Sequence, residues 1–198
     1  MSFVALVAMW EAMMIGMMAP TVAPWLRTFD RLTSEGRDGG RAARVASFAG
    51  GYATVWLGYS AVAAAAQILL HRAGWLSHTH VLAAPLGALV FIGAGLYQFA
   101  PAKRACLTHC RNPLTHVLGR WRNGGVSGFR IGLAHGAYCV GCCWAIMATA
   151  FAVGVMNVWW MAALASVVAI EQVAPHGDRI RGALGLAMTG WGVVLLVG

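Results

Sequence analysis

The sequence predicts an all-α protein: a polytopic transmembrane helical bundle of about six spans, with residues 1–198 forming one domain and both termini outside. Three observations predict this fold class. First, 60% of the 198 residues are hydrophobic and only 10% are charged, whereas soluble domains contain about 25% charged residues. Second, the chain contains six apolar segments, each close to the ~20 residues that a spanning helix needs. Third, basic residues occur in alternate loops, and the alternation typical of barrel strands is absent.

The six apolar segments follow one another at 3–26, 45–70, 82–100, 131–155, 157–172 and 183–198. The first segment ends in Pro20 and Pro24, which we expect to kink or stop its helix. Pro101 follows the third segment and is predicted to mark the exit of that span from the bilayer. The fourth segment opens with a glycine at every fourth position from Gly128 to Gly136, a spacing that favours close approach of helix backbones. The fifth segment is the shortest.

The net charge of +8 is explained by membrane topology, and no nucleic-acid partner is expected. Thirteen of the fourteen Lys and Arg residues lie in every second loop. They are Arg27, Arg31, Arg37, Arg41, Arg44, Lys103, Arg104, Arg111, Arg120, Arg122, Arg130, Arg179 and Arg181. Because cytoplasmic loops carry such an excess, the three basic loops are predicted to lie inside. The lipid bilayer is then the first partner of the protein, with some attraction to anionic headgroups.

Four candidate metal ligands lie on one face of the fourth segment. In "GLAHGAYCVGCCWAIM", His135, Cys139, Cys142 and Cys143 fall within an arc of about 100° on a helix. Thiolate and imidazole are the ligands that soft and borderline metals prefer. A single buried cysteine usually packs as a small hydrophobe, but four aligned ligand residues favour a metal site. All five cysteines lie in the membrane or on its predicted inner side, so we expect reduced thiols.

A second candidate set lies in the first segment. Half of the ten methionines occur between residues 9 and 18. Among them, Met14 and Met18 share one helix face with Glu11, within about 60°. Thioether favours Cu(I), and an intramembrane carboxylate is usually functional and faces the interior. The other three methionines of the window are expected to pack against lipid or neighbouring helices.

Residues near the predicted inner side extend the candidate set. Cys106, His109 and Cys110 lie just past the third span, with Cys106 and Cys110 one helical turn apart, where they would complete an inner site or pass metal onward. Glu171 lies near the inner end of the fifth span and is the second intramembrane carboxylate. The candidate ligands are thus predicted to be distributed across the membrane from outside to inside. The first-helix group comes first, the ligands of the fourth span follow, and these four residues lie nearest the inner side.

Five motifs occur along the chain in a fixed order: "MMIGMMAPTVAPWL", "LYQFAPAKRACLTHCRNP", "GLAHGAYCVGCCWAIM", "VGVMNVWWMA" and "EQVAP". With these motifs, nearly the whole chain resembles a bacterial family of predicted metal-binding integral membrane proteins of uncharacterised function. The resemblance implies metal binding by the methionine-rich first helix and by five cysteines. These are Cys106, Cys110, Cys139, Cys142 and Cys143. The family often has an apolar residue near the position of Glu11, so this glutamate departs from the family pattern.

The leading hypothesis is a multi-pass protein of the bacterial cytoplasmic (inner) membrane that binds a soft transition metal within the bilayer. Copper is the first choice of metal and zinc the alternative. Its role would be metal handling, transfer or delivery, with a membrane metalloenzyme or a metallochaperone as partner, and enzymatic activity is not the leading expectation.

Three alternatives stay open. The first is a membrane thiol–disulfide oxidoreductase that uses the Cys139/Cys142 pair with a quinone. Against it, the pair lies in mid-span beside a third cysteine, and no cysteine faces the oxidising side. The second is haem binding through His135 and an outer histidine, but His135 is the one histidine of seven placed firmly in a span. The third is a structural accessory subunit of a larger complex or an oligomer, in which the cysteines only fill space.

Overall fold

The computed structural model describes residues 2–34, 40–77, 81–112, 125–155, 157–174 and 177–197. It confirms an all-α helical bundle. The helices of the described residues are α1 Phe3–Ser34, α2 Arg41–Arg72, α3 Ala84–Tyr97, α4 Pro101–Arg111, α5 Gly125–Ala148, the short α6 Ala150–Val153, α7 Val158–Val173 and α8 Gly177–Val197. In these ranges the β-type pairing is one isolated bridge between Leu76 and Leu82. Arg37, Arg120 and Arg122 of the predicted basic loops lie outside the described residues.

Helix α1 runs through both of its prolines. Pro20 and Pro24 lie inside this 32-residue helix, which ends only at Ser34. Of the two effects expected of the prolines, a kink or a stop, the stop does not occur. Met18 and Trp25, on either side of the prolines, are at most 2% exposed. Because most helix stability in proteins comes from tertiary packing, burial on both sides of the prolines holds the helix together.

Helices α2 and α5 pack at close range through glycines on both surfaces. A Cβ atom at Gly51 of α2 would lie 2.2 Å from the carbonyl oxygen of Phe129 on α5. A Cβ atom at Gly132 of α5 would lie 2.1 Å from the carbonyl oxygen of Phe48 on α2. Side chains at these positions would collide with backbone, so the contact depends on glycine, as the four-residue spacing predicts.

The third predicted segment, 82–100, contains helix α3, and a second helix, α4, follows directly after it. Helix α3 ends at Tyr97, α4 begins at Pro101, and the helices are bent by 66° at this break. Pro101 lies in the first turn of α4, where its missing N–H would have no partner in any case. It thus begins a helix that packs against α5 and α7, whereas the sequence predicted only the end of a span.

Four helices are long and apolar enough to cross a membrane, and a fifth crossing exists if α3 and α4 form one bent span. The four are Phe3–Arg31, Arg41–Arg72, Ser127–Val153 and Gly177–Val197. Helix α7 covers the predicted fifth segment at 157–172, but with 16 residues it is shorter than the others. Each of the six predicted segments therefore overlaps a helix, but the described residues provide four, or at most five, helices that are long and apolar enough to cross, fewer than the six spans predicted.

Candidate metal centre

Four buried cysteines from two helices meet in the core, and we refer to them as the thiol cluster. Cys139, Cys142 and Cys143 lie on α5 and Cys110 lies on α4; each is at most 5% exposed. The Cys110 thiol is within hydrogen-bonding reach of the Cys139 and Cys142 thiols, and Cys139 is within reach of Cys143. The sequence had placed Cys110 in a separate inner group. The structure brings Cys110 to the α5 cysteines because α4 is bent by 66° from α3 at the break before Pro101 and packs on α5.

Two thiols of the cluster are arranged as hydrogen-bond donors. Cys142 Sγ and Cys143 Sγ donate to the carbonyl oxygen of Cys139 at 3.1 and 3.0 Å, and such bonds require an S–H donor. In the described parts of the chain, no three or more His, Cys, Asp or Glu side chains are grouped so that they would hold a metal ion. Binding a metal therefore requires thiols to lose protons and to turn away from the Cys139 carbonyl.

Thioethers from α1 lie in the same core as the thiol cluster. Met14 and Met18 are fully buried, and Met17 is 6% exposed. All three belong to the hydrophobic core that contains the four cysteines. Sulfur ligands of both kinds suit a soft ion such as Cu(I), so the donor set of this core fits copper.

Glu11 is joined to α2. Its Oε2 atom accepts a hydrogen bond from Ser60 Oγ at 2.9 Å. The residue borders an apolar surface groove between α1 and α2 whose lining includes Val7, Ile15 and Leu57. Although Glu11 and Met14 are close in sequence, Glu11 is half-buried and Met14 is fully buried. The hydrogen bond described for Glu11 thus leads to α2 and not to the thiol cluster.

His135 is buried in an aromatic stack beside the thiol cluster. Its ring centroid lies 3.9 Å from that of Trp25 and 5.5 Å from that of Tyr52. The Tyr52 hydroxyl oxygen is 3.4 Å from Cys139 Sγ, so Tyr52 touches both the stack and the cluster. Within the described residues, His135 Nδ1 is buried without a hydrogen-bond partner. An unpartnered imidazole nitrogen is available to a ligand or a proton.

Cys106 and His109 lie at the edge of the thiol cluster. Cys106 is the partly buried member of the five cysteines, and its Sγ packs over Gly141, 2.8 Å from where a Cβ would be. His109 is buried and stacks on Tyr138, with ring centroids 3.7 Å apart. Of the predicted inner group, the structure thus brings Cys110 into the cluster and leaves these two residues beside it.

Glu171 forms a buried ion pair. Its Oε2 atom lies 2.7 Å from Lys103 Nζ, and the two side chains are 2% and 0% exposed. The Arg111 guanidinium donates to the carbonyl oxygens of Glu171 and Ala174 at 2.6 and 2.9 Å. These bonds tie the end of α7 to α4. The sequence analysis interpreted Lys103 as a loop charge. Lys103 lies four residues before Leu107 and seven before Cys110, and this spacing is the sequence signal that places all three on one buried helix face.

Gln172 is a polar contact of the thiol cluster that the sequence analysis missed. Its Nε2 atom lies 3.4 Å from Cys142 Sγ and 3.9 Å from Cys139 Sγ. The side chain reaches the cluster from α7 and is buried. A glutamine inside an apolar segment, next to Glu171, is the sequence signal that would have identified it.

The sequence matches a protein family over residues 7–195, nearly the whole chain, and that family is PpoB2, described as copper chaperone. No match was found among curated proteins or among solved structures. The description agrees with a core that combines thiols and thioethers, because these are the ligands that favour Cu(I).

Proposed function

Because the chain belongs to the PpoB2 family of copper chaperones, we propose that it binds Cu(I) at the thiol cluster within a membrane and hands the ion to another protein. Copper is the cargo in this proposal. The observation that carries it is the convergence of Cys110 from α4 on the three cysteines of α5. Sulfur groups from separate helices gather in one buried place, which single packing cysteines would not require.

The chemistry of the cluster favours Cu(I) over zinc. Structural zinc sites are closed tetrahedral sites of four Cys or His ligands, whereas soft thiolate and thioether ligands favour Cu(I). Cu(I) is satisfied by two or three soft ligands. The pair Cys139 and Cys142, with Cys110 beside it, supplies that number, and Cys143 is the next thiol along the helix. Met14 and Met18 add thioethers to the same core.

The proposed location is the bacterial cytoplasmic membrane, with the basic loops inside and both termini outside. Large apolar side chains on several helices are exposed, including Val4 at 75%, Trp159 at 86% and Leu186 at 70%. Extended exposed apolar surface is rare in soluble monomers and marks contact with lipid or with another protein. The recipient is proposed to be a membrane metalloenzyme or a metallochaperone, because copper held in the core of the bundle must leave by ligand exchange.

The first test measures metal content. The protein is purified in detergent under anaerobic conditions, loaded with Cu(I), and analysed by mass spectrometry beside a Cys139→Ser/Cys142→Ser/Cys143→Ser variant. We expect near-stoichiometric copper in the wild type and its loss in the variant. The matched control is Ala145→Ser/Ala150→Ser, which places hydroxyl groups at two buried positions of α5 and α6 and keeps every thiol; it should retain copper.

Other outcomes separate the alternatives. Zinc that is lost in the triple variant would keep the site but change the cargo. Absence of metal from the wild type after loading would contradict the proposal. In that case, thiol titration for a Cys139–Cys142 disulfide, followed by a quinone-reduction assay, tests the oxidoreductase alternative.

A further inference from the structure

We infer that Gln172 is a positioning residue of the copper site: its amide N–H groups hold the sulfur atoms of Cys139 and Cys142 together as the primary copper-binding pair. This inference rests on the proposed function and adds a residue from a third helix. The side chain touches the thiols and is not itself assigned a bond to copper.

The geometry places one amide group against two sulfurs. Nε2 of Gln172 lies 3.4 Å from Cys142 Sγ and 3.9 Å from Cys139 Sγ. A side-chain amide nitrogen carries two N–H donors, so one group can serve both sulfurs. Gln172 is 8% exposed and both cysteines are at most 2% exposed. Since water has little access here, the amide is the donor shared by both sulfurs, and the Tyr52 hydroxyl is a second polar neighbour of Cys139 Sγ alone.

The backbone around Gln172 is fixed by its neighbour. Glu171 forms the buried ion pair with Lys103 of α4, and the Glu171 carbonyl oxygen accepts two hydrogen bonds from Arg111. Helix α4 also carries Cys110. The same two helices that deliver Cys110 and Gln172 to the cluster are therefore tied together one residue away from the amide.

Copper binding makes the amide contact stronger. The S–H groups lose their protons when thiolates bind a metal, so the sulfur atoms gain negative charge. A hydrogen bond to a charged acceptor is roughly twice as strong as one between neutral groups. The amide thus stabilises the copper-bound form more than the protonated form. Cys139 and Cys142 are the two sulfurs to which the described contacts of Gln172 lead, which distinguishes this pair from Cys110 and Cys143.

The test compares Cu(I) affinity in variants that keep all five thiols. Affinity is measured anaerobically by competition with a Cu(I) chelator in the full-length protein in detergent. For Gln172→Leu we expect affinity to fall about 10–100-fold, the usual cost of losing a group that orients a metal ligand, with unchanged stoichiometry. Gln172→Glu keeps the shape but replaces the N–H donors with oxygen, so we expect a loss at least as large.

The matched control is Gln67→Leu. Gln67 is also a buried glutamine, but its Oε1 accepts a hydrogen bond from Trp10 Nε1 at 2.7 Å. Its Cu(I) affinity should equal that of the wild type. A second readout is the ultraviolet sulfur-to-copper charge-transfer band, which should shift in the two Gln172 variants and stay unchanged in the control, because only the former lose an N–H donor at sulfur.

The outcomes distinguish this inference from the proposed function. If wild type binds no Cu(I), the proposed function fails before any variant is compared. If wild type binds Cu(I) and both Gln172 variants match it in affinity and spectrum, the positioning role is overturned and the proposed function stands. Equal losses in Gln172→Leu and Gln67→Leu with no band shift would also overturn it, since they would report general core packing. If Gln172→Leu fails to fold, the near-isosteric Gln172→Glu decides.

Discussion

At the scale of single residues, Tyr52 links the thiol cluster to the aromatic stack around His135. Its hydroxyl oxygen lies 3.4 Å from Cys139 Sγ, and its ring centroid lies 5.5 Å from that of His135. A buried hydroxyl without a partner costs roughly 1–3 kcal/mol, so the sulfur is a partner that the phenol needs. Cys139 is thereby held between a phenol from α2 and the Gln172 amide from α7.

The positions of the two α4 cysteines predict unequal roles in copper binding. Cys110 is buried within reach of two cluster thiols, whereas Cys106 packs over Gly141 at the edge. We expect Cys110→Ser to weaken Cu(I) binding by at least about tenfold, which corresponds to about 1.4 kcal/mol, and Cys106→Ser to weaken it less. Chelator competition under anaerobic conditions measures both. Equal losses, or a larger loss for Cys106→Ser, would contradict the arrangement described for α4.

The sequence predicted part of the site at this scale. Cys139, Cys142 and Cys143 carry the chemical signature of metal ligands, and helical periodicity places them on one face. Gln172 stands out in the sequence only as a polar residue in an apolar segment, and neither Gln172 nor Tyr52 carries the signature of a metal ligand, because amides and phenols have many uses. Their contacts depend on the arrangement of α2, α5 and α7, which single-residue chemistry does not reveal.

At the scale of helices, the buried ion pair ties α4 to α7. Lys103 and Glu171 are almost fully buried, and within the described residues Glu171 Oε1 has no hydrogen-bond partner. Removing one partner leaves the other charge uncompensated, whereas replacing both with apolar residues is often neutral. The two helices are therefore expected to tolerate replacement of both charged residues together better than replacement of either one alone.

We predict that Lys103→Met destabilises the protein by about 3–5 kcal/mol. The double variant Lys103→Met/Glu171→Leu should recover most of that loss. Denaturant unfolding in detergent micelles measures both. The control is Arg41→Met, which removes the exposed ion pair with Asp30 and should change stability little, because solvent screens such pairs. A double variant as unstable as the single one would show that the charges are not coupled.

The contact between α2 and α5 provides a matched pair of neighbouring glycines. A Cβ at Gly51 would lie 2.2 Å from the Phe129 carbonyl oxygen, whereas a Cβ at Gly50 would meet nothing within 4 Å. We expect Gly51→Ala to separate the helices and lower the thermal unfolding temperature. Gly50→Ala should leave it unchanged or raise it, since alanine is favoured over glycine in a helix by roughly 0.8–1 kcal/mol. Equal effects of both substitutions would contradict the described packing.

The sequence predicted the positions of the helices better than the breaks between them. The regular spacing of small residues indicated the contact that Gly132 makes with Phe48, because small residues at that spacing are needed where two helix backbones approach closely. Pro101 indicated a break, but a proline marks the end of one helix and the first turn of another equally well. The direction of α4 after the break depends on its buried face, which includes Lys103 and Cys110, and hence on tertiary contacts.

At the scale of the whole molecule, α7 decides the topology. Its 16 residues span about 24 Å at 1.5 Å per residue, less than the ~30 Å hydrocarbon core of a bilayer. Its first turn contains Trp159 and Trp160, which are 86% and 49% exposed and are typical of the membrane interface. Helix α7 is therefore shorter than the four helices that are long enough to cross, and crossing by α7 would require local thinning of the bilayer, which has a modest cost.

If α7 crosses, six crossings place both termini on the same side; if it does not, five crossings place them on opposite sides. We predict that an alkaline phosphatase reporter fused after residue 198 is active, since this enzyme works only outside the cytoplasmic membrane. The same reporter fused after Ser34, beside the basic segment between α1 and α2, should be inactive because positive residues stay in the cytoplasm. A green fluorescent protein fused at each site should give the reverse pattern.

An inactive phosphatase at residue 198 together with an inactive one after Ser34 would mean that α7 lies in or on the membrane without crossing it. Arg179 and Arg181, which lie near the start of α8, would then be on the outer side.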